Sequence, residues 1–109
     1  MGLKVVIIGA GSVGATIAYA LMIRGSAREI VLVDNNAEKL HGEVLDLNHG
    51  RPFVKPVELK EGTYAECADA DIVVITAGAK QKPDETRIEL LNRNLAILQS
   101  IIQEILKHT

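Results

Sequence analysis

Three stretches of this chain are apolar on consecutive positions rather than alternate ones: "LKVVII" at 3–8, "EIVLVD" at 29–34 and "DIVVITAG" at 71–78. A strand with apolar side chains on both faces needs cover on both, which restricts it to a sheet lying between helices. The intervening segments supply helical patterns. Val13, Ile17 and Leu21 recur every four residues up to a stop at Gly25. Residues 37–49 make a second, more polar helix carrying Val44, Leu45 and Leu47, closed by Gly50 and Pro52, and a short weak strand is expected at 56–60. The most regular pattern comes last: Ile88, Leu91, Leu95, Leu98, Ile102 and Ile105, at spacings of 3, 4, 3, 4 and 3. It reads as a single core-facing stripe along about six turns of helix. The order βαβα(β)βα predicts an α/β fold with a doubly wound parallel sheet of about four strands, one domain over residues 1–109.

Composition excludes several classes of partner. Twelve basic against fourteen acidic residues leave a net charge of −2, and only three residues are aromatic. Nucleic-acid binding would call for a clustered basic face with stacking aromatics, and none is present. The single cysteine, Cys67, rules out an internal disulfide and fits a reducing compartment. No apolar run approaches the roughly 18 residues of a membrane span, and the N-terminus enters a strand pattern without a signal-peptide layout. A cytoplasmic protein with no membrane partner is the expectation.

The turn after the first strand carries the strongest chemistry. "VVIIGAGSVGATIAYAL" sets Gly9, Gly11 and Gly14 in a G-x-G-x-x-G pattern between a strand and a helix. Gly9 permits the tight turn, Gly11 lets backbone approach a pyrophosphate, and Gly14 allows helix and strand to pack closely. The helix N-terminus then offers free N–H groups and partial positive charge to phosphates. Asp34 ends the next strand 20 residues after Gly14, the spacing expected for an acid that holds a ribose. An acid there repels a 2′-phosphate, so NAD is expected over NADP. The competing reading of Asp34 is an N-cap for the helix starting near Ala37.

A charged segment, "TAGAKQKPDETR" at 76–87, leaves the carboxyl end of the third strand, where ligands of open α/β sheets collect. Part of it reads as a solvated connector with a helix start, Pro83 at the first helical position and Asp84 and Glu85 at the positive end of the dipole. Gln81 and Arg87 are left over, an amide and a planar fork of donors suited to a small oxygen-rich anion. Gly78 would let backbone pass close to a dinucleotide. A dinucleotide turn under a polar flap is the layout of a hydride-transfer enzyme.

The stretches "GAGSVG", "VLVDNNAEKLHGEVLDLNHG", "GTYAECADADIVVITAGAKQKPDETR" and "LLNRNLAILQSII" resemble the lactate/malate dehydrogenase family, most closely its bacterial NAD-dependent L-lactate members, over all 109 residues. The resemblance implies a Rossmann-type NAD-binding fold. It also implies a flap that closes on a 2-oxo or 2-hydroxy acid, and an Arg87 that polarises the substrate carbonyl. Gln81 would stand where the family chooses its substrate, glutamine suiting the methyl of pyruvate and arginine facing the second carboxylate of the malate enzymes. Burying that carboxylate unpaired would cost on the order of several kcal/mol. The same carry-over assigns cofactor contacts to Val13, Asp34, Lys39, Tyr64, Gly78, Ala79 and Ser100, beside the glycines. On sequence alone Lys39 also reads as a solvated lysine, Tyr64 as a half-buried aromatic and Ser100 as an outward-facing helix residue. "AEKLHGEVLDLNHG" resembles the family's dimerisation helix, so the parent is expected to be a homo-oligomer.

Two departures accompany the resemblance. Asp84 stands where the family's flap normally has glycine, which stiffens the loop and adds a charge three residues from Arg87. His41, His49 and His108 match no catalytic position; His49 suits the end of the second helix. The family's proton-accepting histidine, its orienting aspartate and a second arginine belong to a later part of a longer chain. This chain therefore reads as a fragment that does not turn over substrate alone, with a sheet edge open to pairing. The alternatives are a malate dehydrogenase fragment and a non-catalytic dinucleotide-binding module.

Overall fold

The structure, a computed structural model, describes residues 2–49 and 56–109. Its elements run β1 (Leu3–Ile8), α1 (Ser12–Arg24), β2 (Ala27–Val33), α2 (Ala37–His49), β3 (Glu58–Glu61), a 3-10 helix (Tyr64–Asp69), β4 (Ile72–Ile75) and α3 (Arg87–Leu106). All pairings are parallel, in the order β3-β2-β1-β4. This is the expected doubly wound sheet, with its strand-order reversal between β1 and β4. The Gly50 and Pro52 helix stop falls outside the described residues.

The consecutive apolar runs divide between two cores. On β1, Val5 and Ile7 face α1 and α2 while Val6 and Ile8 face the 3-10 helix and α3; on β2, Ile30 and Leu32 oppose Val31 and Val33 in the same way. With period-2 alternation, covering both faces is what makes every position apolar. The exceptions are Glu29 on β2, which meets Lys60 Nζ at 3.1 Å, and Lys4, buried near the start of β1. Its ammonium meets Glu66 Oε1 at 3.0 Å and also Asp69, and its backbone N–H donates to Asp71 Oδ2 at 2.8 Å. Burial opposes the charge, but the bonds to Asp69 and Glu66 outweigh it and hold the lysine pKa above its ordinary value. The bond from Lys4 in turn holds Glu66 below the usual carboxylate range. The 3-10 helix is thereby tied to β1 by charge as well as by Cys67, which is buried beneath it.

Helices α1 and α3 present a different face from the one their most regular apolar spacing suggests. In α1 the buried residues are Gly14, Ala18 and Met22, one position beyond Val13, Ile17 and Leu21; Val13 is exposed, and the other two are only partly buried. The small Gly14 and Ala18 let the helix axis approach the sheet, so closeness of approach and not side-chain size selects the inner face. In α2, Leu40, Val44 and Leu47 are buried, whereas Leu45 faces out. The largest correction concerns α3. Ile88, Leu91, Leu95, Leu98 and Ile102 are between 40% and 72% exposed, and the helix packs on the sheet through Ile101, flanked by Ile97 and Ile105. Helix α3 therefore carries two apolar faces, and the more regular one is uncovered among the described residues.

Candidate functional site

From Ile8 the chain turns through Gly9, Ala10 and Gly11 into α1. Gly9 sits at φ +113°, and a Cβ there would lie 2.7 Å from the Ala77 nitrogen. A Cβ on Gly14 would lie 1.9 Å from the Gly9 carbonyl oxygen, so both positions require glycine for the backbone to close. Gly11 differs. The nearest atom to a Cβ there is Lys39 Nζ at 3.8 Å, so the missing methyl clears the space above the turn and relieves no clash. Gly11 is also the N-cap of α1; it supplies no side-chain acceptor, and the first turn holds no acid. The leading N–H groups and the positive end of the helix dipole therefore face that space without a side-chain counter-group.

Asp34 follows β2 directly. Its Oδ2 accepts the Ala10 N–H at 2.7 Å and its Oδ1 accepts the Asn36 N–H at 2.9 Å. The cap of α2 is Asn36, whose Oδ1 accepts the Lys39 N–H at 3.1 Å, so the N-cap reading of Asp34 does not hold. The carboxylate is fixed against the glycine turn, with lone pairs remaining for hydroxyl donors. Thr76, at the end of β4, donates its hydroxyl to the Gly9 carbonyl at 3.0 Å and locks the two strand ends together. Its sequence signal is a hydroxyl inside an apolar run.

These elements enclose a cleft of about 620 Å³ at the carboxyl ends of the strands. Of the anticipated residues, Gly9, Gly11, Asp34, Lys39, Tyr64, Gly78 and Ser100 line it. Val13, Gly14, Ala79, Gln81 and Arg87 do not. Thr76 and Arg93 line it without having been anticipated. Tyr64 is half-buried, and burial, aided by the charges of Glu104, Cys67 and Asp34, raises its phenol pKa above the ordinary value. The three histidines are absent from the cleft wall. No group of three or more potential metal ligands occurs among the described residues.

The flap is self-contained. Lys82–Glu85 forms a turn closed by the Glu85 N–H on the Lys82 carbonyl at 3.1 Å, with Pro83 and Asp84 at its corner. The helix begins later than expected, at Arg87, behind a Thr86 N-cap. No non-glycine described residue has positive φ, so Asp84 occupies the usual glycine position without backbone strain. Gln81 Nε2 donates to the Glu85 carbonyl at 2.8 Å. The Glu85 carboxylate accepts from Arg93 Nη2 at 2.7 Å, Arg93 Nε at 3.0 Å and the Lys82 N–H at 3.0 Å. Arg93 Nη2 also donates to the Lys80 carbonyl at 2.8 Å, and Asn94 Oδ1 accepts the Ala79 N–H at 2.8 Å.

A glycine turn with open helix donors, an acid fixed beside it after the second strand, and a cleft at the strand-order reversal together define a Rossmann-type dinucleotide-binding domain. The sequence profile described as lactate/malate dehydrogenase, NAD binding domain, matches residues 3–109, and the chain belongs to that family, with NAD as its cofactor. It is 58% identical over 105 residues to an L-lactate dehydrogenase of Acetivibrio thermocellus, covering 96% of this chain and 33% of that protein. Among solved structures, the minor L-lactate dehydrogenase of Enterococcus mundtii in its ligand-bound form superimposes with a TM-score of 0.95 at 45% identity, over 98% of this chain and 34% of the other. A malate dehydrogenase of Picrophilus torridus gives 0.91 at 33% identity, over 100% and 36%. The chain thus spans about a third of the length of these relatives.

Proposed function

We propose that this chain is the cofactor-binding portion of an L-lactate dehydrogenase that interconverts pyruvate and L-lactate. The observation that carries this reading is Gln81 and Arg87 on a flap anchored at the rim of the NAD cleft. A plain dinucleotide module has no use for either. NAD, when bound, takes up or returns the hydride. The chain's own residues hold and orient it. Gly9 and Gly11 present backbone to the diphosphate, Gly14 lets α1 close on that turn with Val13 beside it as a further cofactor contact, Asp34 accepts from the ribose hydroxyls, and Lys39 adds charge above Gly11. Tyr64, Gly78, Ala79 and Ser100 bound the rest of the cofactor.

On flap movement, Arg87 donates to the substrate carbonyl oxygen and stabilises negative charge on it as the reaction proceeds. Gln81 meets the methyl end. It offers no cation to a second carboxylate, which favours the lactate reading over the malate one. This reading takes its proton-accepting base from outside the residues that line the cleft, among which there is no histidine, and expects no turnover by this chain alone. On this reading the parent is a cytoplasmic, glycolytic homo-oligomer, and Leu45, exposed on α2, suits a subunit contact. No helix among the described residues is long and apolar enough to cross a membrane.

Calorimetric titration of this chain with NADH and NADPH tests the cofactor half. Saturable NADH binding, weaker NADPH binding and loss of the difference in Asp34→Asn are expected. Equal affinity for the two cofactors would remove Asp34 from the ribose site.

A further inference from the structure

The residues that would meet substrate, Gln81 and Arg87, do not reach the cleft in this conformation, although the segment carrying them is closely held. Beside the bond from the Ala79 N–H to Asn94 Oδ1 at 2.8 Å, what holds it is one ion pair. Glu85 Oε1 and Oε2 face Arg93 Nη2 and Nε at 2.7 and 3.0 Å, a two-pronged match of carboxylate to guanidinium. The Glu85 side chain is only 9% exposed. Each partner also grips backbone on the other limb of the flap. Arg93 takes the Lys80 carbonyl, and Glu85 takes the Lys82 N–H through its carboxylate and the Gln81 amide through its own carbonyl. One of the two amide donors of Gln81 is thus used on the flap itself. Arg93 stands on the second turn of α3 and lines the cofactor cleft, so the anchor of the flap is also part of the cofactor wall.

We propose that Arg93 is a positioning residue, which with Glu85 latches the flap in a state that keeps Gln81 and Arg87 away from the cleft until the pair opens. This inference rests on the reading of the flap given under Proposed function. It assigns a role to two residues outside the substrate contacts. An ammonium at position 93 would neutralise Glu85 without spanning both its oxygens and the Lys80 carbonyl, so lysine is expected to hold the flap only in part.

The charged groups acting on Glu85 are Arg93, whose hydrogen bond is the main influence, and Lys82, through its backbone N–H and its charge. These lower the Glu85 pKa. A carboxylate with a lowered folded-state pKa contributes fully above its unfolded value, and the contribution is lost as pH falls through the folded one. The latch is therefore closed at neutral pH and opens on acidification below the ordinary glutamate range.

The test needs no cofactor. In the unaltered chain at neutral pH, trypsin is expected to cut slowly after Lys80, the Lys82 amide to resist exchange, and the Gln81 side-chain amide to give a shifted, sharp resonance. Arg93→Met and Glu85→Gln should each speed cutting after Lys80 by about tenfold or more, as cleavage follows the open population. Both should collapse the Gln81 signature, with Arg93→Lys intermediate. In an acid series followed by amide exchange, protection of Lys82 should fall as Glu85 titrates, and this step should be missing from Glu85→Gln. Wild-type cutting rates and an unmoved Gln81 resonance in both variants would overturn the proposal. If a variant loses protection in β1 and β2, it has unfolded, and the acid series on the unaltered chain decides: a flat Lys82 profile overturns the latch. Failure to bind NADH would sink the dehydrogenase reading and leave these flap measurements standing.

Discussion

Helix α1, through its N-cap Gly11, and helix α3, from Arg93 onward, border the same cleft, and their heads treat their backbone donors in opposite ways. At the head of α1, Gly11 caps nothing with a side chain and no acid enters the first turn. At the head of α3, Thr86 Oγ1 accepts the Glu89 N–H at 3.1 Å and Glu89 Oε1 accepts the Thr86 N–H at 3.3 Å, a complete capping box. Four N–H groups are orphaned at any helix start. Leaving them open makes an anion seat that needs no rearrangement, and closing them makes a firm base for a loop. The cofactor side of the crevice is therefore ready-made, while the flap side is satisfied internally and must give up bonds before it can act.

The contrast breaks most visibly at Gly14. Because an added Cβ meets the Gly9 carbonyl oxygen at 1.9 Å, Gly14→Ala has to push α1 away from the turn. A loss of about 2–3 kcal/mol is expected from such overpacking. Thermal unfolding would show it as a drop on the order of 10 °C. A melting point within a degree or two of the unaltered chain would mean that α1 and β1 do not close through this contact. Gly11→Ala separates function from folding, since its Cβ has no neighbour nearer than Lys39 Nζ at 3.8 Å. Stability should stay within about 0.5 kcal/mol. NADH affinity should fall about tenfold, roughly 1.4 kcal/mol, because the methyl stands where the diphosphate approaches. Unchanged affinity would show that the space over α1 is not the cofactor seat.

The open half of this contrast was legible in the sequence and the closed half was not, for a physical reason. Gly9, Gly11, Gly14 and Asp34 act through local backbone geometry at fixed spacings, so their pattern survives in one dimension. The flap is held by pairs that depend on where α3 starts and how it is turned. Glu85 looked like a first-turn acid and proved to be the partner of Arg93, eight residues on. Thr86 is the cap although Pro83 marks an earlier helix start in the sequence pattern. Likewise, the 3-10 helix is held to β1 by the buried Lys4, whose partners Glu66 and Asp69 lie more than 60 residues away in the chain.

Thr86→Ala sharpens the comparison from the other side. Losing a cap of this kind costs about 1 kcal/mol. Because the α1 seat is separate, NADH affinity should be unaffected while amide protection at residues 87–90 declines. An equal loss of affinity would mean that the two heads are coupled and that the ready-made half depends on the other.

The smallest effect is expected at Leu95, and it tests the rotation of α3 on which the flap depends. The turn of the helix that buries Ile101 also carries Arg93 to Glu85 and Asn94 to Ala79, and it leaves Leu95 about half exposed on the outer seam. Leu95→Gln should therefore change stability by no more than about 0.5 kcal/mol, where a buried leucine would cost about 2–5 kcal/mol. Denaturant titration of dilute protein measures this directly. The seam spacing that made Leu95 look like core is a surface property of this chain, and the substitution should lower its tendency to self-associate at high concentration. A core-sized loss in dilute solution would mean that α3 turns its regular stripe inward. Arg93 and Asn94 would then point elsewhere, and the flap would lose the anchors that set it apart from the glycine turn.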